Sequence, residues 1–204
     1  MTQIKTVPNV RRGVLKIVII RKKTLFIILV IIILLILLAI INIPEKIQKI
    51  IYKKEYSEYV QKYALEYNVD ENLIYAVIKA ESNFKVDAKS SKDAIGLMQL
   101  MESTAMDILR QINITISDEE LEEKLKEPDI NINLGTKYLS ILLEKYQNVE
   151  LAVTAYNAGI GTVDNWIEKG IIKNDGSDIE NVPYKETNNY VRKILRDYKI
   201  YSDL

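Results

Sequence analysis

The fold class is indicated most clearly by the sequence DENLIYAVIKAESNF at residues 70–84. Its apolar residues recur every three or four positions, which is the spacing of one face of an amphipathic α-helix. Asp70 stands just before them and suits an N-cap, because its side-chain oxygen can accept a hydrogen bond from the first turn. We therefore predict a helix that begins after Asp70. Its buried face comprises Leu73, Ile74, Val77 and Ile78.

Helical spacing continues along the rest of the chain, and no run alternates strictly enough to predict a strand. The prediction is therefore an all-α domain. Gly135 falls inside a long apolar helix, where it costs about 1 kcal/mol relative to alanine, so we expect a close helix contact there. A first helix is predicted to carry a core-packed aromatic stripe of Tyr52, Tyr56, Tyr59, Tyr63 and Tyr67. The later helical stretches are 103–112, 119–126, 131–146, 151–157, 163–169 and a last helix through 190–198.

Glu81 continues the apolar face of the 70–84 helix, three positions after Ile78 and four after Val77. A carboxyl group on such a face loses solvation, which raises its pKa unless a partner neutralises it. A carboxylic acid that stays protonated near neutral pH is what a general acid requires, and glycoside cleavage is a common use. Position alone favours the alternative, a helix-end glutamate turned to solvent.

The composition limits the possible chemistry. The 204-residue chain contains no cysteine and no histidine. This excludes thiol nucleophiles, disulfides, the usual zinc sites and every Ser–His arrangement, so we predict neither a metal nor a cofactor. Any catalysis would rely on carboxylates, hydroxyls and amides.

The formal net charge is zero, but the charges are unevenly distributed. Residues 1–44 carry seven basic groups and no acidic group, which leaves 21 basic and 28 acidic groups in residues 45–204. We expect no nucleic-acid binding by this negatively charged part, because such binding relies on neutralising phosphates.

A long apolar segment, LFIILVIIILLILLAIINI, occupies residues 25–43. At 1.5 Å per residue it would form about 29 Å of helix, close to the thickness of a bilayer's hydrocarbon core. The alternatives are a buried core helix and a cleaved signal peptide. The apolar region of a signal peptide is shorter, about 7–15 residues, and ends near small residues, whereas only Ala39 is small here. We therefore predict an uncleaved transmembrane signal anchor.

The flanking charges predict the orientation of this anchor. Arg21, Lys22 and Lys23 adjoin its N-terminal end, so residues 1–24 should form a basic cytoplasmic tail. A weaker group of lysines after residue 45 argues mildly against this orientation. Residues 44–55 are then a juxtamembrane connector, and residues 56–204 form one domain on the extracytoplasmic face of the cell membrane.

Five blocks of sequence occur in an order that is typical of one enzyme family. They are ESNF at 81–84; AIGLMQLM at 94–101 with STA at 103–105; NINLG at 131–135 with YL at 138–139; AYNAG at 155–159; and VPYKET at 182–187 with YV at 190–191. Together they cover roughly residues 56–200, which makes them far more specific than a lone motif. The chain resembles the soluble lytic transglycosylase family, whose catalytic domain has a fold like that of goose-type lysozyme.

The resemblance implies a role for residues in each block. Glu81 would be the sole acid and base, and Tyr190 would lie near it and set its protonation or orientation. Glu186 would be structural. The other site residues would be Ser82 in the catalytic centre, Met98 and Gln99 on one side of a glycan groove, and Tyr156 and Asn157 on the other. Without the resemblance, Met98, Tyr156 and Tyr190 would be assigned to the core, and Asn157 to a helix end.

The resemblance also implies a substrate and a reaction. The substrate would be the glycan strands of peptidoglycan, cut at the β-1,4 bond between N-acetylmuramic acid and N-acetylglucosamine. The N-acetyl group of the muramic acid would assist departure of the leaving sugar, and the C6 hydroxyl would then close a 1,6-anhydro ring. Two alternatives stay open: a hydrolytic muramidase on the same fold, and an inactive membrane-tethered glycan-binding protein. The sequence identifies no protein partner.

The chain departs from the family pattern at four positions. Asp93 replaces a glycine, and Glu102 and Val86 each replace a proline. Asn188 replaces a frequent arginine. Asp93 and Glu102 add negative charge near the predicted groove, and either would be the candidate base of a muramidase.

Overall fold

The computed structural model describes residues 27–33, 35 and 50–204. The chain divides into two compact units, Met1–Gln48 and Lys49–Leu204. In the first unit, residues 27–33 and 35 are helical. None of the helices in the described part of the chain is both long and apolar enough to cross a membrane. The rest of the predicted anchor at 25–43, the tail at 1–24 and residues 44–49 of the connector lie outside the described residues.

The second unit is helical, and no strand forms within residues 50–204, where only isolated bridges join Lys89 to Ile95 and Ile95 to Leu100. The predicted all-α class is therefore confirmed for this part of the chain. The helices are α1 (Ser57–Tyr67), α2 (Glu71–Glu81), α3 (Glu102–Gln111), α4 (Asp118–Lys124), α5 (Pro128–Tyr146), α6 (Val149–Ala158), α7 (Ile160–Glu168) and α8 (Lys185–Ser202), with a short 3₁₀ helix at Ile179–Asn181.

The helix boundaries follow local chemistry. The Asp70 side chain accepts a hydrogen bond from the backbone N–H of Asn72 at 2.8 Å, so the predicted N-cap of α2 is confirmed. The long helix α5 begins at Pro128, earlier than predicted, because proline fits the first turn, where its missing N–H has no intrahelical partner. Gly159 separates α6 from α7 with a φ of 87°, a backbone conformation that glycine adopts without strain.

The predicted single helix bearing five tyrosines is wrong at its N-terminal end. Tyr56 has a φ of 58° and ψ of 31°, the left-handed conformation, and α1 begins only after it. Tyr52 therefore lies outside α1, although its ring and that of Tyr56 still pack against the hydrophobic core. Helical spacing in a sequence cannot reveal a non-glycine residue at positive φ, so the prediction missed this turn.

The core is organised around α5, which contributes buried residues to three hydrophobic clusters. Its Ile132 and Leu139 pack with α1, α2 and α8; its Leu134 packs with α3 and α4; and its Leu142 packs with α6 and α7. Helix α2 packs against α8, and α6 against both α5 and α8. The carboxyl-terminal end of α2 is therefore fixed by the buried face of α8.

A fully buried carboxylate, Asp197 on α8, joins the start of this unit to its last helix. The Tyr52 hydroxyl donates to Asp197 Oδ1 at 3.0 Å, and Arg196 pairs with the same oxygen at 2.8 Å. The Tyr201 hydroxyl donates to the Lys53 carbonyl at 2.9 Å. Residues 52 and 53, which the sequence assigns to the connector, are thus bonded to α8.

Candidate active site

Glu81 is the last residue of α2, and its carboxyl group meets α8. The Tyr190 hydroxyl donates a hydrogen bond to Glu81 Oε1 at 2.6 Å. The two residues are far apart in the chain and are brought together by the packing of α2 on α8. The glutamate keeps part of its surface exposed, so its carboxyl group is held by one partner and remains accessible.

The electrostatics of Glu81 suit proton transfer. Burial raises the pKa of the Glu81 carboxyl to about 7, although the hydrogen bond from Tyr190 and the charge of Lys193 both lower it. The pKa of Tyr190 is raised well above its ordinary value by burial and by the nearby Glu81, so its hydroxyl stays protonated and can donate. A carboxyl group with a pKa near the ambient pH can both give and accept a proton, which is what an acid–base catalyst must do.

A cavity of about 470 Å³ opens in front of Glu81. Residues from six parts of the chain line it: the end of α2, the loop between α2 and α3, the start of α3, α5, the end of α6 and the start of α8. Its volume is in the range of pockets that hold small ligands. Among the lining residues are Glu81, Gln99, Tyr138, Tyr156, Asn157 and Glu186.

Tyr156 joins α6 to the loop on the opposite wall of the cavity. Its hydroxyl donates to the Met98 carbonyl at 2.8 Å, and its ring packs on Tyr138, with centroids 5.2 Å apart. Burial, followed by the nearby Glu81, raises the pKa of Tyr156 well above its ordinary value. Tyr156 therefore lines the cavity and also holds the loop in place.

Met98 was predicted to line the groove. Its side chain is instead fully buried in the core cluster around α2 and α8. It lies against Gly135 of α5, where an added Cβ would come within 2.8 Å of Met98 Cβ. The close approach expected at Gly135 thus exists, but its partner is a loop side chain and not another helix. Only the backbone of Met98 reaches the cavity wall, through Tyr156.

The loop that carries Met98 is shaped by Asn131, a fully buried amide on α5. Its Nδ2 donates to the carbonyls of Ile95 and Leu125, and its Oδ1 accepts from the Met98 backbone N–H at 2.7 Å. Gly96, at a φ of 80°, fits against this amide, and a Cβ there would collide with Asn131 and with the Leu125 carbonyl. The loop therefore has a fixed shape next to Glu81.

Gln99 lines the cavity in a left-handed conformation with a φ of 48°. Its Nε2 donates to the carbonyls of Ala88 and Gly96, each at 3.0 Å. These two bonds offset backbone strain, which costs about 1–3 kcal/mol for such a residue. Since the amide nitrogen is engaged within the loop, the oxygen is the atom that Gln99 can offer to a ligand.

Ser82 and Asn157 differ in their access to the cavity. The buried Ser82 hydroxyl donates to the Leu97 carbonyl at 2.8 Å and to the Ile78 carbonyl at 3.2 Å, so it braces the loop against α2. Asn157 is exposed and lines the cavity, and its Oδ1 accepts from the Thr187 hydroxyl at 2.8 Å. Among the seven site residues predicted, Glu81, Gln99, Tyr156 and Asn157 line the cavity, whereas Ser82, Met98 and Tyr190 lie behind them.

Sequence reasoning missed three residues that bear on the site. Tyr138 belongs to a motif block but was given no role, and it lines the cavity beside Tyr156. Glu186, expected to be structural, is exposed and also lines the cavity. The charge of Lys193 on α8 lowers the pKa of Glu81. Only the motif blocks could have indicated Tyr138 and Glu186, and no pattern indicates Lys193.

The two added acidic residues adjoin lining residues in the chain but do not line the cavity themselves. Asp93 is exposed, has a φ of 62° and pairs with Lys89 at 3.7 Å. Glu102 is exposed at the first turn of α3, where a negative charge favours the helix dipole. Neither is among the residues that line the cavity. No cluster of three or more metal-binding side chains was found within residues 27–33, 35 and 50–204.

The chain is similar to known proteins in both sequence and fold. The model of the transglycosylase SLT domain family matches residues 58–178. The soluble lytic murein transglycosylase of Salmonella typhimurium is 32% identical over 142 residues, which cover 69% of this chain and 22% of that protein. The membrane-bound lytic murein transglycosylase C of Photorhabdus laumondii is 34% identical over 130 residues, 59% of this chain and 35% of that protein.

The solved structures include a close match in fold. The crystal structure of an inactive mutant of lytic transglycosylase Slt from Pseudomonas aeruginosa aligns with a TM-score of 0.65 and 32% identity, over 76% of this chain. The alignment covers 25% of that protein. The chain therefore spans about a fifth to a third of the length of these relatives.

Proposed function

We propose that this protein cleaves peptidoglycan as a lytic transglycosylase, since the chain belongs to the transglycosylase SLT domain family and Glu81 has the surroundings of a general acid. The observation that carries the proposal is the Glu81 carboxyl at the cavity wall, with a pKa raised by burial to about 7 and a hydrogen bond from Tyr190. Relatives named lytic murein transglycosylases support the choice of substrate.

In the proposed reaction, Glu81 serves both proton-transfer steps. Protonated Glu81 donates its proton to the glycosidic oxygen between N-acetylmuramic acid and N-acetylglucosamine, while the N-acetyl group of the muramic acid assists departure of the leaving sugar. Ionised Glu81 then takes the proton of the C6 hydroxyl, whose oxygen bonds to C1 and closes the 1,6-anhydro ring. No water is consumed. Tyr190 keeps Oε1 engaged, which fixes the direction of the carboxyl group during both steps.

A hydrolytic muramidase is the second candidate, because another carboxylate lines the same cavity. Retaining and inverting glycosidases pair two carboxylates across the bond. Asp93 and Glu102 do not line the cavity, so the candidate base of a hydrolase becomes Glu186. If Glu186 activated water, the products would have reducing ends and Glu186→Gln would abolish cleavage.

The mass of the products separates these reactions. We would digest purified peptidoglycan sacculi with the full chain in detergent and measure the released muropeptides by mass spectrometry. Anhydro ends, lighter than reducing ends by one water, would support the transglycosylase. Reducing ends would support the muramidase, and an absence of released muropeptides would indicate a glycan-binding protein.

We further propose that residues 25–43 anchor the protein in the cell membrane and that residues 50–204 lie on its extracytoplasmic face. The length and composition of the apolar segment support an anchor, and the basic residues before it support the orientation. A relative named as membrane-bound supports membrane association. Peptidoglycan, the proposed substrate, lies on the same side.

A further inference from the structure

Two residues of α8 contact the carboxyl-terminal end of α2, one turn of helix apart. Tyr190 donates to the Glu81 side chain at 2.6 Å. Lys193 donates from Nζ to the Ala80 carbonyl at 2.9 Å, immediately before Glu81 in the chain. Positions three residues apart lie on the same face of a helix, so both side chains reach the same target.

The end of α2 needs such a partner. The last carbonyls of a helix have no intrahelical donor, and together with the peptide dipoles they give that end a partial negative charge. A carboxylate placed there is destabilised, and burial adds to the effect. Ser82 already bonds the Ile78 carbonyl through its backbone N–H and its hydroxyl, whereas the Ala80 carbonyl is bonded by Lys193.

The other charged or titratable groups around Glu81 cannot replace this lysine. Tyr156 on α6 and Tyr190 on α8 stay protonated and bring no positive charge. Glu186, in the first turn of α8, adds negative charge to the same cavity. Lys92 lies on the exposed loop at the cavity's edge, where solvent screens its charge. Lys79, on α2 itself, pairs with the buried Asp197 at 3.5 Å.

We propose that Lys193 is a positioning residue for the reaction, holding the end of α2 through Ala80 and favouring the ionised form of Glu81 through its charge. The inference rests on the proposed function, in which Glu81 must be an acid in one step and a base in the next. Burial alone would favour the acid form and hinder the second step. The partly buried ammonium group of Lys193 beside the helix end favours the ionised form, so Glu81 can adopt both forms. This ammonium group does not need to touch the substrate.

Kinetics across a pH series test this role in the full chain solubilised in detergent. Protonated Glu81 is the form that starts the reaction, so its ionisation sets the alkaline limb of kcat/KM. We expect Lys193→Met and Lys193→Gln to move that limb upward by about 0.5–1 pH unit, because an opposite charge nearby has been removed. Lys193→Arg, which keeps the charge, should leave the limb in place.

Arg192→Met is the matched control. Arg192 lies next to Lys193 on α8 and is exposed, and its Nε donates to the Asn188 side chain at 2.8 Å. This variant removes the same charge from the same helix, so an equal shift would overturn the local role of Lys193. If the alkaline limb of kcat/KM is unchanged in both neutral Lys193 variants, even with a lower kcat, then Lys193 makes only a structural contact. If Lys193→Met does not fold, Lys193→Gln carries the test, because it keeps a donor for the Ala80 carbonyl.

A second readout does not require activity. Glutamate side chains labelled with carbon-13 at the carboxyl group can be titrated by NMR in the full chain, and Glu81→Gln identifies the Glu81 signal. Its midpoint should rise in the neutral Lys193 variants and stay in place in Arg192→Met. A chain that releases no muropeptides but shows this shift would refute the proposed function and leave intact the effect of the Lys193 charge on Glu81. An active enzyme with no shift would refute the inference alone.

Discussion

Tyr190 and Glu81 are joined by a 2.6 Å hydrogen bond that crosses from the last helix of the domain to the end of the second. The bond lies behind the cavity, since Glu81 lines it and Tyr190 does not. The tyrosine therefore acts on the carboxyl group without contacting the space where a substrate would lie. In the proposed reaction, the residue that transfers the proton, Glu81, is therefore distinct from the residue that orients it, Tyr190.

Tyr190→Phe is expected to lower turnover while the helical circular dichroism signal is kept. The lost hydroxyl leaves Glu81 without its partner, and the hydrogen bond itself is worth about 1–3 kcal/mol because it reaches a carboxyl group. Tyr198→Phe is the control, as Tyr198 on the same helix donates to Asp70 at 2.8 Å, away from Glu81. Equal activity of the two variants on sacculi would assign Tyr190 to the core.

Glu81→Gln is expected to abolish peptidoglycan cleavage without unfolding the domain. Glutamine has the size of glutamate but cannot donate the proton, and general acid–base assistance is worth about 10²–10⁴-fold. Release of soluble muropeptides from sacculi measures the effect. Glu102→Gln, an exposed change outside the cavity, should keep most activity. A Glu81→Gln protein that cleaves at the wild-type rate would contradict the assignment.

The same substitution should stabilise the protein in a pH-dependent way. The pKa of Glu81 is raised by burial from 4.5 to about 7, so the folded state holds this proton more tightly than the unfolded state. Glu81 therefore destabilises the fold increasingly as pH rises from about 4.5 to 7. Denaturant unfolding at pH 8 should show Glu81→Gln more stable by about 1–3 kcal/mol, and the difference should fade near pH 4. A constant difference at all pH values would mean that the carboxyl is not perturbed.

Gly135→Ala should destabilise the domain and lower activity. An added methyl group would collide with Met98, and such overpacking costs about 1–3 kcal/mol, which exceeds the gain of about 1 kcal/mol in helix propensity. Displacing Met98 would also move the carbonyl that Tyr156 holds. Gly161→Ala in α7 is the control, because nothing lies within 4 Å of its added Cβ. Thermal melting should show a clear fall in Tm for Gly135→Ala, and a rise or a much smaller fall in Tm for Gly161→Ala.

Protease treatment of intact spheroplasts or protoplasts tests the proposed orientation. Protease added outside should remove residues 50–204 and spare the tail before Leu25, because the heavier basic flank is expected to stay in the cytoplasm. A cytoplasmic protein serves as the control for intact cells. If the domain is fully protected and that control also survives, the proposed orientation is wrong.

Helical spacing predicted most helices of residues 50–204, because burying an apolar face is a local pattern that the sequence displays. Asp70 was recognisable as a helix N-cap because its hydrogen bond to the first turn is equally local. The left-handed turn at Tyr56 was not recognisable, because helical spacing does not reveal a non-glycine residue at positive φ.

The site was predictable to the extent that motif blocks mark it. Periodicity placed Glu81 on an apolar face, but neither Lys193 nor the hydrogen bonds of Asn131 could be inferred, because each joins segments distant in sequence. Burial of Met98 was also hidden, since a methionine in a motif can face either a groove or the core.

The bonding of Tyr52 and Lys53 to α8 limits the distance between the proposed anchor and the proposed active site. If residues 25–43 cross the membrane as proposed, only residues 44–51 separate the anchor from the first residue that is bonded to α8. Stretched fully at about 3.3–3.6 Å per residue, they extend no more than about 30 Å. The active site would then work only on the layer of cell wall nearest the membrane, and inserting a flexible segment after Pro44 would open deeper layers to it.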